Sequence, residues 1–281
     1  MAIAKRLLGR TGVEVTALGL GGVCWNLEEE DERAVEVVHR AIDLGITYFD
    51  TASGYKDSER RLGLALRERD REPLFVASKC LKRSGDEAKR ELADSFAQLG
   101  VETIDLMQLH AIDEAGTLDE VLGPGGALRL IEEYRKAGKI RFVGLTGHTH
   151  PAVFQQLINA YEFDTILNPS GPVNRVWNDF CQTSLADARA RGMGTIGMKV
   201  MAYGQVPRDD LGLYMRHGMD WVDVVIAGMD TVAHVEENVR LAEAYKPLSA
   251  QEEELVLAKA LELVPQAKKE LWWLPERRLA S

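Results

Sequence analysis

The 281-residue chain predicts an α/β fold, a single closed (β/α)8 barrel with an N-terminal β-hairpin, on three observations. Short β-prone runs alternate with helix-period segments about eight times. No polar linker interrupts the alternation, and 46% hydrophobic residues are enough for one large core. Several of the runs also end on a polar or charged side chain, and a parallel barrel gathers such strand ends at one face. A doubly wound open sheet is the alternative with the same alternation.

The hairpin comes first, at about residues 6–16. Leu7 and Leu8 precede a Gly9-Arg10-Thr11-Gly12 turn, and Val13 and Val15 then alternate with polar neighbours. It would plug or precede the barrel. The first barrel strand, 17–22, ends in Gly19-Leu20-Gly21-Gly22, glycines that let a ligand or another backbone approach closely. A Gly-x-Gly-x-x-Gly fingerprint would need glycine where Cys24 stands, so a Rossmann site is weakly supported. Residues 29–44 set Ala34, Val37, Val38 and Ala41 at helical spacing, and the second strand, 46–50, ends on Asp50. Ser53-Gly54 then turns the chain so that Tyr55 can rise off the strand.

A helix at 58–69 leads to a third strand, 73–79, ending on Lys79, and a helix at 85–99 leads to a fourth, 104–110, ending on His110. Residues 111–126, with Gly123-Pro124-Gly125-Gly126, read either as a lid or as an ordinary exposed loop. A helix at 128–137 stops at Gly138 before the fifth strand, 140–146. The next helix, 151–160, carries Pro151 in its first turn, where a missing N–H costs little. The sixth strand, 165–168, is followed by a helix at 181–191. The seventh, 195–199, ends on Lys199 before a short helix at 209–217. After the eighth strand, 222–227, Val232, Val235, Val239 and Ala242 line one helix face, and a last helix at 250–263 belongs to a C-terminal helix and tail of about 249–281.

Composition narrows the function. A net charge of −10 with basic residues interleaved among acids argues against a nucleic-acid ligand, while a nucleotide cofactor needs only a local basic or N–H-rich site. Cys24, Cys80 and Cys181 form no Cys-x-x-Cys, so neither a disulfide scaffold nor a zinc or iron-sulfur site is expected. No stretch reaches the roughly 18 apolar residues of a membrane span, and no signal-like core opens the chain. The expected setting is soluble, reducing and cytoplasmic.

Asp50, Lys79 and His110 end consecutive predicted strands, and Tyr55 follows the first of these ends. Singly, each reads as readily as a core ion pair, a packed tyrosine or a satisfied barrel histidine. Together at one barrel face they suit proton transfer. Asp50 would hold Lys79, whose charge would lower the pKa of Tyr55 and make it a better proton donor. His110 would donate to a substrate oxygen and steady its developing charge. Such a set suits carbonyl reduction, for which a nicotinamide must supply the hydride.

Over nearly its whole length the chain resembles the aldo-keto reductases. The likeness rests on Gly12-Val13-Glu14-Val15 through Gly19-Leu20-Gly21-Gly22, Gly45-Ile46-Thr47-Tyr48-Phe49-Asp50-Thr51-Ala52-Ser53-Gly54-Tyr55, Ser58-Glu59-Arg60-Arg61-Leu62-Gly63, Ser78-Lys79 and Ile104-Asp105-Leu106-Met107-Gln108-Leu109-His110. It implies a (β/α)8 barrel with an N-terminal hairpin, an extended NAD(P)H without a Rossmann domain, and a catalytic tetrad of Asp50, Tyr55, Lys79 and His110. Tyr55 would be the general acid in reduction and the base in the reverse reaction.

The resemblance also assigns the remaining candidates. Gly22 falls at the cofactor end of the first strand. Thr146 replaces a serine that holds the carboxamide. His148 stands where an asparagine is usual, and either binds the amide or caps the helix that starts at Pro151. Asn168 stands near a glutamine position beside the nicotinamide. Lys199 is either a pyrophosphate contact or a solvated lysine. Reductases that prefer NADPH carry Lys-Ser and an arginine around the 2′-phosphate, where this chain has Gly228-Met229 and His234. Helix amides near Thr231 and a protonated His234 remain as phosphate contacts, and Glu237 and Asn238 match near the adenosine. Family habit favours NADPH, with NADH a contender. Trp25 either walls the substrate pocket or packs in the core, and Trp272-Trp273-Leu274 either covers the pocket or packs on the barrel wall.

Three rival readings stand beside this one. His148-Thr149-His150 with His110 has the spacing of a metal-dependent hydrolase, although no carboxylate set accompanies it. A non-catalytic nucleotide-binding regulator would keep the pocket without turnover. An aldolase would form a Schiff base on Lys79. Substrate identity and oligomeric state are carried by no motif.

Overall fold

The computed structural model describes residues 2–27, 31–114, 116–271 and 274. The hairpin pairs β1 (Lys5–Leu7) with β2 (Glu14–Thr16) antiparallel, Lys5 opposite Thr16, around a 3-10 turn at Gly9–Thr11. Gly9 has φ +46°, and a Cβ on it would lie 2.1 Å from the backbone nitrogen of Gly194, so the turn is pressed against the barrel floor. Leu8 is fully buried there in one cluster with Tyr48, Phe75, Leu106, Leu167 and Ile196. The hairpin therefore plugs the barrel.

Eight strands form the barrel itself: β3 (Leu18–Gly21), β4 (Tyr48–Asp50), β5 (Phe75–Cys80), β6 (Ile104–Leu109), β7 (Ile140–Thr146), β8 (Thr165–Pro169), β9 (Gly194–Met198) and β10 (Val224–Gly228). Each pairs in parallel with the next, and β10 closes on β3 through Val225 opposite Leu18. Helices α1 (Asp31–Asp43), α2 (Ser58–Leu66) and α3 (Gly85–Leu99) follow β3, β4 and β5. The α3 signals are local: Ser84 accepts a hydrogen bond from the Glu87 amide, and Gly100 ends the helix in the left-handed region. The β6–β7 connection holds α4 (Thr117–Leu122) and α5 (Ala127–Lys136), and α6 (Pro151–Ala160) follows β7.

Three stretches differ from the sequence reading. Residues 111–126 contain α4, whose Val121 is fully buried, and Gly126 bridges Ser84, so the segment is built into the wall. After β8 come α7 (Pro172–Trp177), a π-type turn at Cys181–Leu185 and α8 (Ala186–Ala190), where a single helix at 181–191 was expected. The wide turn carries the Ser184 hydroxyl to 2.8 Å from Asn168 Oδ1. Beyond α9 (Leu211–Trp221) and α10 (Val232–Glu243), α11 (Ala250–Glu270) runs through Pro265 well past residue 263. Proline inside a helix costs ~3 kcal/mol. Val264, Ala267 and Leu271 are buried against Val173, Val206 and Tyr214, and burial of apolar side chains of this size, at about 1.5–3 kcal/mol for a Val or Leu, offsets that cost. Trp272 and Trp273 lie outside the described residues. Among those residues no helix is long and apolar enough to cross a membrane.

Candidate active site

The strand period of two decides which side chains meet inside the barrel. Tyr48, Phe75, Ala77 and Leu106 share the interior cluster with Leu8, whereas Phe49, Val76, Met107 and Leu109 pack outward against the helices. Continuing the inward series upward brings Asp50 on β4, Lys79 on β5, Gln108 on β6 and His110 just beyond it. The register agrees, with Asp50 opposite Ala77 and Lys79 opposite Gln108. An apolar floor thus gives way to a polar layer at the carboxyl ends of three adjacent strands.

In that layer Lys79 Nζ donates to Asp50 Oδ1 at 2.5 Å and to the Thr51 carbonyl at 2.7 Å. The other Asp50 oxygen accepts from Gln108 Nε2 at 3.3 Å. Burial works against the lysine charge, but Asp50 and Tyr55 more than offset it, and its pKa stands above the ordinary lysine value. The ammonium lies 4.6 Å from the Tyr55 ring centroid. His110 meets the same ring edge-on, with centroids 5.6 Å apart. Burial, then the Lys79 charge, pushes His110 well below the usual histidine value, so its imidazole is neutral at neutral pH; Nδ1 is buried without a protein partner. Tyr55 departs from the sequence reading. Lys79 does pull its pKa down, but burial of the phenol outweighs the lysine, and the net shift is upward.

The α2 sequence holds this layer from behind. Ser58 Oγ donates to the Gly22 carbonyl at 2.9 Å and lies 2.7 Å from Thr51 Oγ1. Buried Glu59 accepts from Ser78 at 2.5 Å and Ser95 at 3.1 Å. Arg61 donates to the Trp25 carbonyl and to Asp31. Gly63 is demanded by close helix packing, since a Cβ there would lie 2.3 Å from the Gln98 carbonyl oxygen on α3. From α3, Glu91 accepts from Ser53 at 2.5 Å and from the Leu81 and Lys82 amides at 3.1 and 2.9 Å, tying the Tyr55 loop to the end of β5.

Beside the layer a cavity of about 340 Å³ runs from Asp50 and Tyr55, past Lys199 and Tyr203 after β9, to Gly228, Asp230, His234 and Asn238 where β10 enters α10. Lys199, Ala202 and Tyr203 all have left-handed φ, which bends the chain around the cavity. Burial, then the Lys79 charge, lowers the Lys199 pKa to about 8. On the β7 and β8 side the Thr146 and Ser170 hydroxyls are buried without a partner in the protein. An elongated ligand fits this cavity.

The sequence matches the Aldo/keto reductase family over residues 17–219. The chain belongs to that family. It is similar to an L-galactose dehydrogenase of Arabidopsis thaliana, 26% identical, with 96% of this chain and 97% of the relative covered. A 6-dehydroglucose reductase of Novosphingobium aromaticivorans is 31% identical over 52% of each chain. An aldo-keto reductase from Bacillus halodurans solved in its holo form superposes with a TM-score of 0.75 at 23% identity, covering 92% of this chain and 96% of that one, a likeness of fold. By family and relatives this reductase is an oxidoreductase.

Several candidate residues do not line the cavity. Trp25 is 0% exposed, with Nε1 donating to the Met229 carbonyl at 3.1 Å, so it packs in the core and does not wall a pocket. Met229 is buried beneath it. A Cβ on Gly22 would lie 2.5 Å from Ser58 Oγ and 2.9 Å from the Trp25 ring, which makes that glycine a packing requirement. Asn168 spends its amide on the scaffold, donating to the Gly147 carbonyl at 3.1 Å and accepting from Ser184. His148 does not cap α6, whose N-cap is His150; its Nδ1 lies 3.3 Å from Asp113 Oδ2, and burial, partly offset by Asp113, lowers its pKa. His150 is exposed, so the two imidazoles do not converge, and no metal-ligating cluster occurs among the described residues. Glu237 pairs with Arg208 at 2.7 Å. Sequence reading missed Asp113 and Gln108. Gln108 alone carried a signal, as the polar residue two before His110 on an inward face.

Proposed function

We propose that the protein reduces an aldehyde or ketone to an alcohol, and runs the reverse, with a nicotinamide dinucleotide as redox partner and Tyr55 as proton donor. The observation that carries this reading is Lys79, buried with its charge intact between Asp50 and Tyr55. When bound, a reduced nicotinamide supplies a hydride, which no side chain can do. Tyr55 keeps its proton through neutral pH, because burial raises the phenol. As negative charge grows on a carbonyl oxygen beside it, the hydroxyl proton passes to that far more basic oxygen, and Lys79 steadies the phenolate left behind. Asp50 and the Thr51 carbonyl hold the ammonium in place. Neutral His110 can donate one ring N–H to the same oxygen and orient it. In the reverse direction the Tyr55 phenolate takes the alcohol proton.

The Thr146 hydroxyl suits the carboxamide end of the dinucleotide, Lys199 its pyrophosphate and Asn238 its adenosine end. A Schiff-base role for Lys79 is disfavoured, because it needs a neutral amine and Asp50 holds this one charged. The test is Tyr55→Phe, assayed by coenzyme oxidation across an aldehyde and ketone panel that includes aldoses, given the sugars in two relatives' names. Turnover is expected to fall by about 10²–10⁴-fold with coenzyme binding retained. Unchanged turnover would remove Tyr55 from the chemistry and favour another role for the pocket.

A further inference from the structure

We infer that the cavity selects the dinucleotide that lacks a 2′-phosphate, and that Asp230 makes the selection. The inference deepens the reading above and rests on it. A nicotinamide must lie by Asp50 and Tyr55 for its hydride to reach a carbonyl there. The cavity continues from that point to Gly228, Asp230, His234 and Asn238. A dinucleotide extended along it sets its adenosine ribose against this outer end.

At the outer end a carboxylate lines the cavity, and the guanidiniums of Arg208 and Arg40 are paired with carboxylates on α10. Asp230 lines the cavity with 44% of its side chain exposed, and its Oδ1 lies 2.5 Å from His234 Nδ1. The His234 amide donates to Thr231 Oγ1 at 3.2 Å, which leaves the ring Nε2 as the His234 group that can meet a ligand. Arg208, the guanidinium bonded to the second turn of α10, donates to Glu237 at 2.7 Å. Arg40 is held by Glu236 through two nitrogens, at 2.7 and 3.0 Å. Among the described residues lining the cavity, Lys199 is the single Lys or Arg, and it stands over the Tyr203 ring at 5.4 Å.

A 2′-phosphate adds about −1.5 to −2 charge and acceptor oxygens alone, both of which a carboxylate repels. A ribose 2′-hydroxyl is a donor, which a carboxylate accepts. The same side chain therefore favours one coenzyme and opposes the other, and this reverses the preference for NADPH that the family resemblance carries.

Separate titrations of the full-length protein with NADH and NADPH, followed by tryptophan fluorescence, test the inference. NADH is expected to bind at least about tenfold tighter. Asp230→Asn, nearly the same shape without the charge, should shrink that ratio severalfold, chiefly by tightening NADPH. Raising the salt should shrink it in the wild type, because the carboxylate is solvent-exposed and screened. Equal or tighter NADPH binding, a ratio that Asp230→Asn leaves alone, or a ratio indifferent to salt overturns the selection by Asp230. If neither dinucleotide binds, the coenzyme reading itself falls, a result distinct from the other three.

Discussion

The polar layer at the ends of β4 and β5 and the Thr146 hydroxyl at the end of β7 are provisioned in opposite ways. On the first, Asp50, Lys79, Thr51, Ser58, Ser78 and Glu59 are all buried or nearly so and are hydrogen-bonded to one another or to backbone. At the second, the Thr146 hydroxyl is equally buried with no partner in the protein. Gln108 on β6 and His110 just past it, between them, are mixed: Gln108 Nε2 binds Asp50, while Gln108 Oε1 and His110 Nδ1 are orphaned. A satisfied network is rigid before any ligand arrives, which proton transfer requires. An unsatisfied buried hydroxyl destabilises the free protein by about 1–3 kcal/mol and regains that on meeting a partner, which is how a socket behaves. On the proposed function, the first would serve the chemistry and the second the ligand.

The sharpest way to break this contrast is Lys79→Met. It strands Asp50 as a buried charge without its counter-ion, and the expected loss is about 3–5 kcal/mol of stability by urea unfolding. Lys79→Met combined with Asp50→Leu removes both charges and should recover much of that loss, because the penalty belongs to the unpaired carboxylate and not to the missing bond. Equal destabilisation of the single and double variants would mean that the network contributes packing alone.

How much of this was legible in the sequence follows from the range of the interactions. The strand ends were readable because alternation within five or six residues fixes which side chains point inward, and Asp50, Lys79 and His110 needed only that rule and the barrel to converge. Asp113 was not readable. Its role depends on the loops after β6 and β7 meeting across a gap of tens of residues, where Asp113 reaches the 148–149 turn. Trp25 was ambiguous for a related reason: an aromatic after a strand can face a pocket or a helix, and Arg61, Gly22 and the Met229 carbonyl together turn it into the core. The α11 helix outran its expected end because the apolar surface that carries it past Pro265 lies on α7 and α9.

Asp113 bears on the border between the two sides and should matter less than Lys79. Its Oδ1 accepts from the His148 amide at 2.5 Å, the Thr149 amide at 2.9 Å and the Thr149 hydroxyl at 3.2 Å, and Oδ2 faces the His148 ring. Asp113→Ala is expected to cost about 1–3 kcal/mol near neutral pH. Burial raises this carboxyl, but its bonds to His148 and Thr149 outweigh burial and lower the pKa from 3.8 to about 2. A depressed folded-state pKa contributes stability above 3.8 that is lost as pH falls toward 2. The stability gap between wild type and Asp113→Ala should therefore narrow over that acidic interval, by thermal unfolding at a series of pH values. A gap constant with pH would show that the charge on Asp113 is immaterial.

The smallest effect, and the one most specific to the contrast, belongs to Thr146→Val. Valine keeps the shape and deletes a hydroxyl that has no partner in the protein. On the satisfied side an equivalent deletion would leave a partner stranded and destabilise the fold. Here it removes a buried orphan, so stability should hold or rise by up to about 1 kcal/mol. If the hydroxyl serves the coenzyme, affinity should fall at the same time by about 2–10-fold, the equivalent of one ordinary hydrogen bond of about 0.5–1.5 kcal/mol. Stability and affinity moving in opposite directions is the signature of a socket. A variant that lost stability with coenzyme binding intact would place Thr146 among the scaffold residues and erase the difference between the two sides of the barrel mouth.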